Sequence, residues 1–296
     1  MHLRALLQST RPAFLVLTPV CVFVGFSTAL ASQTAVDTGL FIVALIGALC
    51  AHVSANTLNE YLDFTNGLDL KTARTAFSGG SGALPAHPEL ARPVLVLGLA
   101  SLTVTLFIGT YLVSQHSVPL LAMGLSGVLL IVTYTRWINR SPLLCLIAPG
   151  LGFGIFMVVG THVVLTGTYA PLAWLVALVP FFLVNNLLLL NQYPDRDADA
   201  SVGRRHFLIA FGMQKSNLAY AAFLIAAYAT IVLLVLGQYI PRLGLIALIP
   251  AVFSLFSLSG ALQHKARIGD YPRYLASNVA ATLLTPLLLG VSILTG

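Results

Sequence analysis

Two short segments of the chain repeat an asparagine and an aspartate at the same spacing. Asn59 and Asp63 lie near the end of one apolar run, and Asn191 and Asp195 lie near the end of another. Each pair is followed by a second acid and then by basic residues, namely Asp69, Lys71 and Arg74 in the first copy and Asp199, Arg204 and Arg205 in the second. The chain has only nine acidic residues, so their concentration in two matched copies indicates a functional site.

These side chains have the chemistry of a magnesium–diphosphate site. Carboxylates this close repel one another unless a cation lies between them, and oxygen ligands without histidine or cysteine suit Mg²⁺. Protein-bound Mg²⁺ typically contacts one or two carboxylates together with substrate phosphates, and the neighbouring bases can hold the remaining phosphate oxygens. The pattern therefore predicts a bound diphosphate that metal and bases stabilise as a leaving group.

The composition is that of a polytopic membrane protein. Of the 296 residues, 58% are hydrophobic and 8% are charged, whereas a soluble domain has about 25% charged residues. The net charge of +6 does not indicate nucleic acid, because the bases lie in short loops between apolar runs and are explained by retention on the cytoplasmic side. Three cysteines, Cys21, Cys50 and Cys145, lie inside apolar runs and are interpreted as packing residues. The N-terminal MHLRALLQSTRP lacks a small-residue cleavage site, so we predict no removable signal peptide.

Nine apolar segments are long enough for a bilayer core, which needs roughly 20 apolar residues per helix. They are 12–31, 38–62, 92–114, 118–138, 143–166, 171–192, 218–240, 242–262 and 275–294. The connections SQTAVD, SQHS, GTYA and GQYIPR are short and nearly uncharged, and they alternate with basic or longer ones. The predicted fold is therefore all-α, with nine transmembrane helices around a central cavity and two pseudo-repeated Asp-rich loops on one face.

The orientation follows from the basic residues. With the N-terminus inside, Arg242 alone among the 15 lysines and arginines faces outwards, as the positive-inside rule requires. We therefore predict an integral protein of a prokaryotic inner membrane, with its N-terminus and its site facing the cytoplasm.

The first helix with an acidic motif also carries a row of polar groups. His52, Asn56, Asn59 and Asp63 fall on one side of the segment 38–62, and we call this row the polar stripe. It is predicted to face the protein interior or a water-filled cavity, because such groups are costly against lipid. A lone acid at a helix end is ordinarily a solvated cap, but two matched copies favour a site. His52 is interpreted as support for the stripe.

Other notable residues have structural interpretations. Hydrogen bonds between helices are expected from His162, Asn185, Asn186 and Asn278, and close helix packing is expected at Gly150, Gly152 and Gly154. Pro194 disfavours a helical Tyr193, which predicts a kink or a restart of the helix at that point. The glycine-rich segment SGGSGALPAH, residues 78–87, is either a mobile lid over the site or a linker.

At these motifs the sequence resembles the UbiA superfamily of intramembrane prenyltransferases, and the resemblance covers essentially the whole chain as one domain, 1–296. NEYLDFTNGLD, FSGGSGALPAH and NQYPDRDADASVGRRHFLIAFG are most similar to the branch containing 1,4-dihydroxy-2-naphthoate prenyltransferases. RPAFLVLTPV is similar to that family's lead into the first helix. Two details depart from the family pattern: Glu60 stands where many members have aspartate, and Phe153 lies where this branch often has an acid.

The resemblance implies a role for each matching position. The catalytic metal ligands would be Asp63, Asp69, Asp195 and Asp199, and the diphosphate would be bound by Asn59, Lys71, Arg74, Tyr134, Asn191, Arg204 and Arg205. The implied reaction is Mg²⁺-dependent transfer of a prenyl group from a polyprenyl diphosphate to an aromatic or quinol-like acceptor, of which 1,4-dihydroxy-2-naphthoate is the best match. The proton acceptor stays open, with Asp69 and Asp199 as candidates.

Three alternatives remain at this stage. Two are enzymes of the same family type, one with another acceptor and one that cyclises the prenyl diphosphate itself. The third is a secondary transporter, suggested by the internal repeat and the polar stripe. Transporter sites lie near the bilayer midplane, whereas the acids here gather at helix ends, which favours the enzyme.

The basic asymmetry predicts the topology. Single cysteines introduced in 64–90 and 196–216, in a background without Cys21, Cys50 and Cys145, are expected to react with a membrane-impermeant thiol reagent only from the cytoplasmic side. A cysteine in GQYIPR serves as the control for the opposite side. Labelling of either acidic segment from outside would contradict the orientation.

Overall fold

The computed structural model describes residues 2–32, 35–116 and 118–295, and this part of the chain is helical with connecting turns and no strand. Gln33 and Thr34 of the SQTAVD connection, Ser117 of SQHS, and the terminal residues of the predicted domain 1–296 lie outside the described residues. Eight helical segments are long and apolar enough to cross a membrane. The protein is therefore an integral membrane protein.

Two short helices, His2–Ser9 and Pro12–Leu15, lead into nine longer ones. We label these α1 (Leu17–Ser32), α2 (Thr38–Thr65), α3 (Ala91–His116), α4 (Val118–Tyr134), α5 (Pro142–Thr166), α6 (Pro171–Ser201), α7 (Phe207–Leu236), α8 (Ala251–His264) and α9 (Pro272–Thr295). Helix α5 contains a π-helical turn at Leu151–Met157, and 3₁₀ helices at Arg242–Leu248 and Lys265–Asp270 flank α8.

Helix α4 is shorter than the eight candidate membrane spans, which have 21 to 31 residues once α1 and α8 are counted with the short helices that flank them. It has 17 residues and is therefore about 26 Å long at 1.5 Å per residue. In the described part of the chain, eight of the nine predicted spans correspond to helical segments that are long and apolar enough to cross a membrane. The remaining predicted span, the fourth in the chain, corresponds to the shorter apolar helix α4. A count of nine full spans stays a prediction.

Helix α6 differs from the sequence-based expectation at its end. It continues through Pro194 as far as Ser201, so the alternative of a restart at Pro194 is wrong, and Asp195, Asp197 and Asp199 lie in the helix and not in a second Asp-rich loop. A kink at Pro194 stays a prediction. Tertiary contacts outweigh the weak helix preference at this point. The Tyr193 ring is buried and its hydroxyl donates to Asn217 Oδ1 at 2.8 Å, while Asp199 is held by side chains that follow the helix.

Helix α7 also begins earlier than predicted, at Phe207 instead of 218. Its first part is joined to the remainder at Gly212, whose backbone is non-helical with φ 79° and ψ 174°. Glycine tolerates this conformation because it has no Cβ. The polar sequence around 214–217 concealed a helix that the apolar pattern alone does not detect.

Helices α5 and α6 approach each other closely at two glycines. A Cβ on Gly150 would lie 2.4 Å from the Phe181 carbonyl oxygen, and one on Gly154 would lie 2.4 Å from the Phe181 nitrogen. Gly152 faces another way, where a Cβ would meet Leu130 at an ordinary 3.5 Å. Close packing is thus confirmed for two of the three predicted glycines. It brings α6, which carries the second acidic motif, against α5.

The predicted polar contacts between helices are present. Asn186 Nδ2 donates to the Tyr220 carbonyl at 2.9 Å, Tyr220 Oη donates to Asn278 Oδ1 at 2.8 Å, and Asn278 Nδ2 donates to the Asn186 carbonyl at 3.1 Å. Asn185 Oδ1 accepts from the Gly150 amide, and His162 pairs with Thr28. The bonds of Asn185 and Asn186 join α6 to α5, α7 and α9, so they fix the helix that carries Asp195 and Asp199, whereas the His162 bond joins α5 to α1.

The glycine contacts predict different effects of the same substitution at neighbouring positions. Gly154→Ala should lower the apparent melting temperature in detergent, since overpacking typically costs about 1–3 kcal/mol. Gly152→Ala is the matched control on the same helical turn, and its melting temperature should stay at or slightly above the wild-type value. Equal melting temperatures for the two variants would contradict the described contact between α5 and α6.

Candidate active site

A cavity of about 740 Å³ opens at the end of the bundle where α2 and α6 finish. Its wall includes all four residues of the polar stripe, His52, Asn56, Asn59 and Asp63. The prediction that the stripe faces a cavity is therefore confirmed. The opposite wall is formed by the end of α6, and the opening is bordered by the N-terminal lead and by the loop 74–81.

Most of the predicted site residues line this one cavity. They are Asn59, Asp63, Asp69, Arg74, Tyr134, Asn191, Asp195, Asp199 and Arg204. Lys71 and Arg205 do not line it, and their side chains are exposed outside it. Asn59 and Asn191 are 132 residues apart in the sequence, but the two acidic motifs meet at this one cavity. The ligand roles of their residues stay predictions.

Arg204 connects the two motifs. Its Nη2 donates to Asp63 Oδ1 at the end of α2, and its Nη1 donates to Asp199 Oδ1 in α6 at 2.8 Å. His206 Nε2 lies 3.0 Å from the other oxygen of Asp199. Burial alone would lower the pKa of Arg204, but the carboxylates of Asp63 and Asp199 together raise it above its usual value. The guanidinium is therefore a fixed positive charge in the cavity wall.

Asp69 has a different environment, because none of the ion pairs in the described part of the chain includes it. Burial, with the nearby negative charges of Glu60 and Asp63, raises the pKa of Asp69 to about 7. Its Oδ2 is buried and has no hydrogen-bond partner among the described residues. A carboxyl group in this state gains free energy from a bound cation, because the cation favours its ionised form.

The loop 74–82 is attached to both motifs. The Gly79 amide donates to Asp195 Oδ2 at 2.9 Å, and the Ser81 amide donates to Glu60 Oε2 at 3.1 Å. The Ser81 hydroxyl also donates to Glu60, and Arg74 donates to the Ser81 carbonyl. Gly79 has φ 80° and would clash with the Arg74 backbone if it carried a Cβ. The loop is therefore not a free linker, and its role as a lid stays a prediction.

Arg11 is a site residue that the sequence interpretation did not select. Its Nη2 donates to Asn59 Oδ1 at 3.1 Å and to Glu60 Oε2 at 3.0 Å. Glu60 is completely buried, and a buried carboxylate requires a partner. The signal was available, because an acid on an apolar helix calls for a cation and the Arg-Pro lead supplies one. Ser81, Gln192 and His206 gave no comparable signal.

Among the described residues, His52 forms its hydrogen bond with Thr18 and none with the other members of the polar stripe. Its Nδ1 lies 2.8 Å from Thr18 Oγ1 of α1, and its ring meets Phe153 edge-on with 4.7 Å between ring centroids. Asn56 instead donates to the Thr10 carbonyl. No hydrogen bond bears out the interpretation of His52 as support for the stripe, and its environment is the boundary between polar and apolar walls.

Several buried polar atoms of the cavity wall have no partner in the described part of the chain. The acceptors are Asp69 Oδ2, Asn191 Oδ1 and Asp195 Oδ1, and the donors are Arg11 Nε and Arg204 Nε. Buried polar groups are nearly always paired, so this set marks a place for a ligand with both positive and negative parts. Among the described residues, no three of the four aspartates bring carboxylate oxygens within 4.8 Å of one another. Three potential metal-ligand atoms do lie this close together in His2, His87 and Glu89, but these residues do not line the cavity.

A second cavity of about 350 Å³ continues from the first into the apolar part of the bundle. Its wall is formed by α2, α3, α4 and α5 and consists almost wholly of apolar side chains and glycines. The two cavities share His52, Ala55, Leu130, Ile131 and Phe153. A polar chamber with acids and bases therefore leads into an apolar one.

Known proteins resemble the chain in sequence and in fold. It is 29% identical over 235 residues to 1,4-dihydroxy-2-naphthoate octaprenyltransferase of Bacillus subtilis (strain 168), an alignment that covers 77% of this chain and 73% of the relative. A UbiA homologue from Archaeoglobus fulgidus, solved with DMAPP and Mg²⁺, superposes with a TM-score of 0.68 at 13% identity and covers 98% of this chain and 99% of the other.

The apo structure of a UbiA homologue from Aeropyrum pernix K1 has the same fold, with a TM-score of 0.68 at 17% identity over 95% of this chain and 97% of the other. The model of the UbiA prenyltransferase family matches residues 18–279, a range that includes both acidic motifs and most of the cavity wall. The chain therefore belongs to the UbiA prenyltransferase family and is a membrane prenyltransferase.

Proposed function

We propose that this enzyme transfers a prenyl group from a polyprenyl diphosphate to an aromatic quinol precursor, with 1,4-dihydroxy-2-naphthoate as the acceptor and Mg²⁺ as the cofactor. The observation that carries the proposal is the set of unpartnered buried atoms in one cavity, oxygens from both acidic motifs beside the Nε donors of Arg11 and Arg204. The sequence similarity to a naphthoate octaprenyltransferase supports the choice of acceptor.

The residues present fit a magnesium ion. The donor set of Asp69, Asn191 and Asp195 is oxygen only, as Mg²⁺ prefers. The separation of the aspartates is compatible with this ion, because Mg²⁺ keeps several waters and binds to few carboxylates directly. Asp63 and Asp199 are the other proposed ligands. When bound, the metal would neutralise charge that develops on the departing diphosphate.

The bases of the cavity bind the diphosphate in this proposal. Arg204 is held between Asp63 and Asp199 and leaves its Nε free to donate to an anionic oxygen. Arg11 is oriented in the same way by Asn59 and Glu60. Arg74 and Tyr134 are at the cavity wall as well, whereas Lys71 and Arg205 would need a rearrangement of their exposed side chains to reach it.

The apolar chamber accounts for the prenyl chain. A diphosphate near Asp63 and Asp195 directs the allylic carbon towards the shared wall around Phe153, and the remaining isoprene units extend into the second cavity. Breaking the allylic C–O bond sends its electron pair to the diphosphate and leaves an electrophilic carbon in an apolar place with little water. An electron-rich carbon of the acceptor ring then forms the new C–C bond. The site is proposed to open towards the cytoplasm of a prokaryotic inner membrane.

The proposal predicts that charge at both motifs is indispensable. Asp63→Asn and Asp195→Asn should each lower prenyl transfer at least about 100-fold, because each removes an anionic ligand of the proposed Mg²⁺, which would stabilise the developing diphosphate anion. The double variant should lose little more than either single variant, since residues that act as one unit are non-additive. Chelation of Mg²⁺ should abolish transfer by the wild-type enzyme, as measured by product formation in detergent.

Asp197→Asn is the matched control for these variants. Asp197 lies in the same helix as Asp195, but its side chain is 94% exposed and meets only Arg196 at 3.9 Å. Its removal should leave turnover near the wild-type value. Near wild-type turnover in a stably folded Asp63→Asn or Asp195→Asn variant would overturn the proposal that the two motifs form one metal–diphosphate site.

The acceptor assignment has its own test. Membranes that contain this enzyme are expected to prenylate 1,4-dihydroxy-2-naphthoate with a higher kcat/KM than 4-hydroxybenzoate, whichever donor chain length is most active. A reversed preference would overturn the acceptor and leave the prenyl transfer intact. Conversion of the donor to a hydrocarbon or terpene alcohol without acceptor would instead identify a cyclase.

A further inference from the structure

We infer that His52 is the proton acceptor for the aromatic substrate, and that the substrate's phenolic hydroxyl binds where the polar and apolar cavities meet. This inference rests on the proposed function, since it requires a phenolic acceptor. It replaces the two carboxylates, Asp69 and Asp199, that the sequence offered for this role.

The position of His52 supports the assignment. Five described residues line both cavities, and His52 is the only one of them with a titratable side chain. In the second cavity it is likewise the sole titratable residue among the described lining residues. It lies eleven positions before Asp63 in α2, a separation of roughly 16 Å along the helix axis. The allylic carbon is bonded to the diphosphate, so the attacking ring lies on the other side of that carbon and its phenolic oxygen lies farther still from the metal. This favours His52 over the acids at the helix ends as the proton acceptor.

The orientation of the ring leaves one nitrogen free for a substrate. His52 is 6% exposed, and its Nδ1 is 2.8 Å from Thr18 Oγ1. No described residue pairs with its Nε2. If Nδ1–H donates to the Thr18 hydroxyl, Nε2 carries the free lone pair that a general base requires. The edge contact with Phe153 fixes the ring plane in the same place.

Every bond that breaks or forms in this step, and the destination of the proton, can be stated. The phenolic O–H bond breaks as Nε2 takes the proton, and the released electron pair raises the electron density of the ring. A ring carbon uses a π electron pair to form the C–C bond with the allylic carbon, and the electrons of the allylic C–O bond leave with the diphosphate. The ring carbon that received the prenyl group then loses its hydrogen as a proton to solvent, or its carboxylate as CO₂. The electron pair of the broken bond restores the aromatic ring and a phenolate oxygen, which takes the proton back from His52 Nε2.

Asp69 and Asp199 are poorly suited to this step. Asp199 already accepts hydrogen bonds from Arg204 and His206. Asp69 lies in the turn after α2 against the Gly80 backbone, so closely that a Cβ on Gly80 would lie 2.9 Å from Asp69 Oδ1. Neither lines the apolar cavity in which the prenyl chain would lie. Both instead belong to the diphosphate end of the polar cavity.

The test compares two buried histidines that have the same kind of partner. His162 is paired through Nδ1 with Thr28 at 3.1 Å, as His52 is with Thr18, but it lines neither cavity. With prenyl diphosphate, Mg²⁺ and 1,4-dihydroxy-2-naphthoate, His52→Gln should lower kcat at least about 100-fold, the usual contribution of a general base, while the KM for the donor stays within about threefold. His162→Gln should keep kcat within about threefold of wild type. Glutamine can hydrogen-bond but is not a base, so it separates proton transfer from simple binding.

Chemical rescue and a variant at Thr18 complete the test. Added imidazole should restore the turnover of His52→Ala at least about tenfold, because the adjoining cavity admits it, and it should not affect Asp63→Asn. Thr18→Val, which keeps the shape of the side chain, should lower kcat at least about tenfold without changing the donor KM, and it carries the test if the His52 variants do not fold. A kcat above one third of the wild-type value in folded His52→Gln would overturn the role of His52. If the His52 variants do not fold, the same value in Thr18→Val would overturn it. Absence of transfer to any phenol by the wild-type enzyme would overturn the proposed function instead.

Discussion

The architecture of the site depends on one buried guanidinium between two carboxylates. Asp63 ends α2 and Asp199 lies in the last turn of α6, and both helix ends carry the negative pole of a helix dipole. Two acids at two negative poles would repel each other, and Arg204 compensates this repulsion from within the cavity wall, with its side chain only 16% exposed. Removing one partner from such a buried pair typically costs about 3–5 kcal/mol. The charge balance that brings the two halves of the bundle together is thus the same one that equips the cavity for an anion.

A second charge pair performs the same task at the opening of the cavity. Glu60 is fully buried and is neutralised by Arg11, which also reaches Asn59. The Ser81 amide and hydroxyl donate to the same carboxylate. The N-terminal lead and the loop 74–82 are therefore both hydrogen-bonded to one residue of α2, Glu60. The two pairs therefore divide the cavity wall between them: Arg204 aligns the helices, and Arg11 aligns the segments that border the opening.

The sequence predicted the site better than it predicted the elements that carry it. The matched Asn–Asp spacing located both motifs and the polar stripe, since scarce polar groups on apolar helices have few alternatives to a shared interior. The continuation of α6 through Pro194 was not predictable, because it depends on the Tyr193–Asn217 contact and on Arg204, which are distant in sequence. Arg11, by contrast, was overlooked although the sequence carried a signal for it, because Glu60 on an apolar helix requires a cation as partner. The role of His52 at the cavity junction likewise required knowing that Thr18 and Phe153 come together in space.

The loop 74–82 contacts the acidic motifs mainly through its backbone. The amides of Gly79 and Ser81 are two residues apart, and each is bonded to a carboxylate on a different helix, Asp195 on α6 and Glu60 on α2. The one residue between these amides is Gly80, which has φ 74° and whose Cβ, if present, would lie 2.9 Å from Asp69 Oδ1. The loop therefore acts as a spacer in which both the number of residues and this glycine are constrained. A single insertion or deletion there would put the two amides out of register with their carboxylates, whereas most substitutions that respect the left-handed glycines would not.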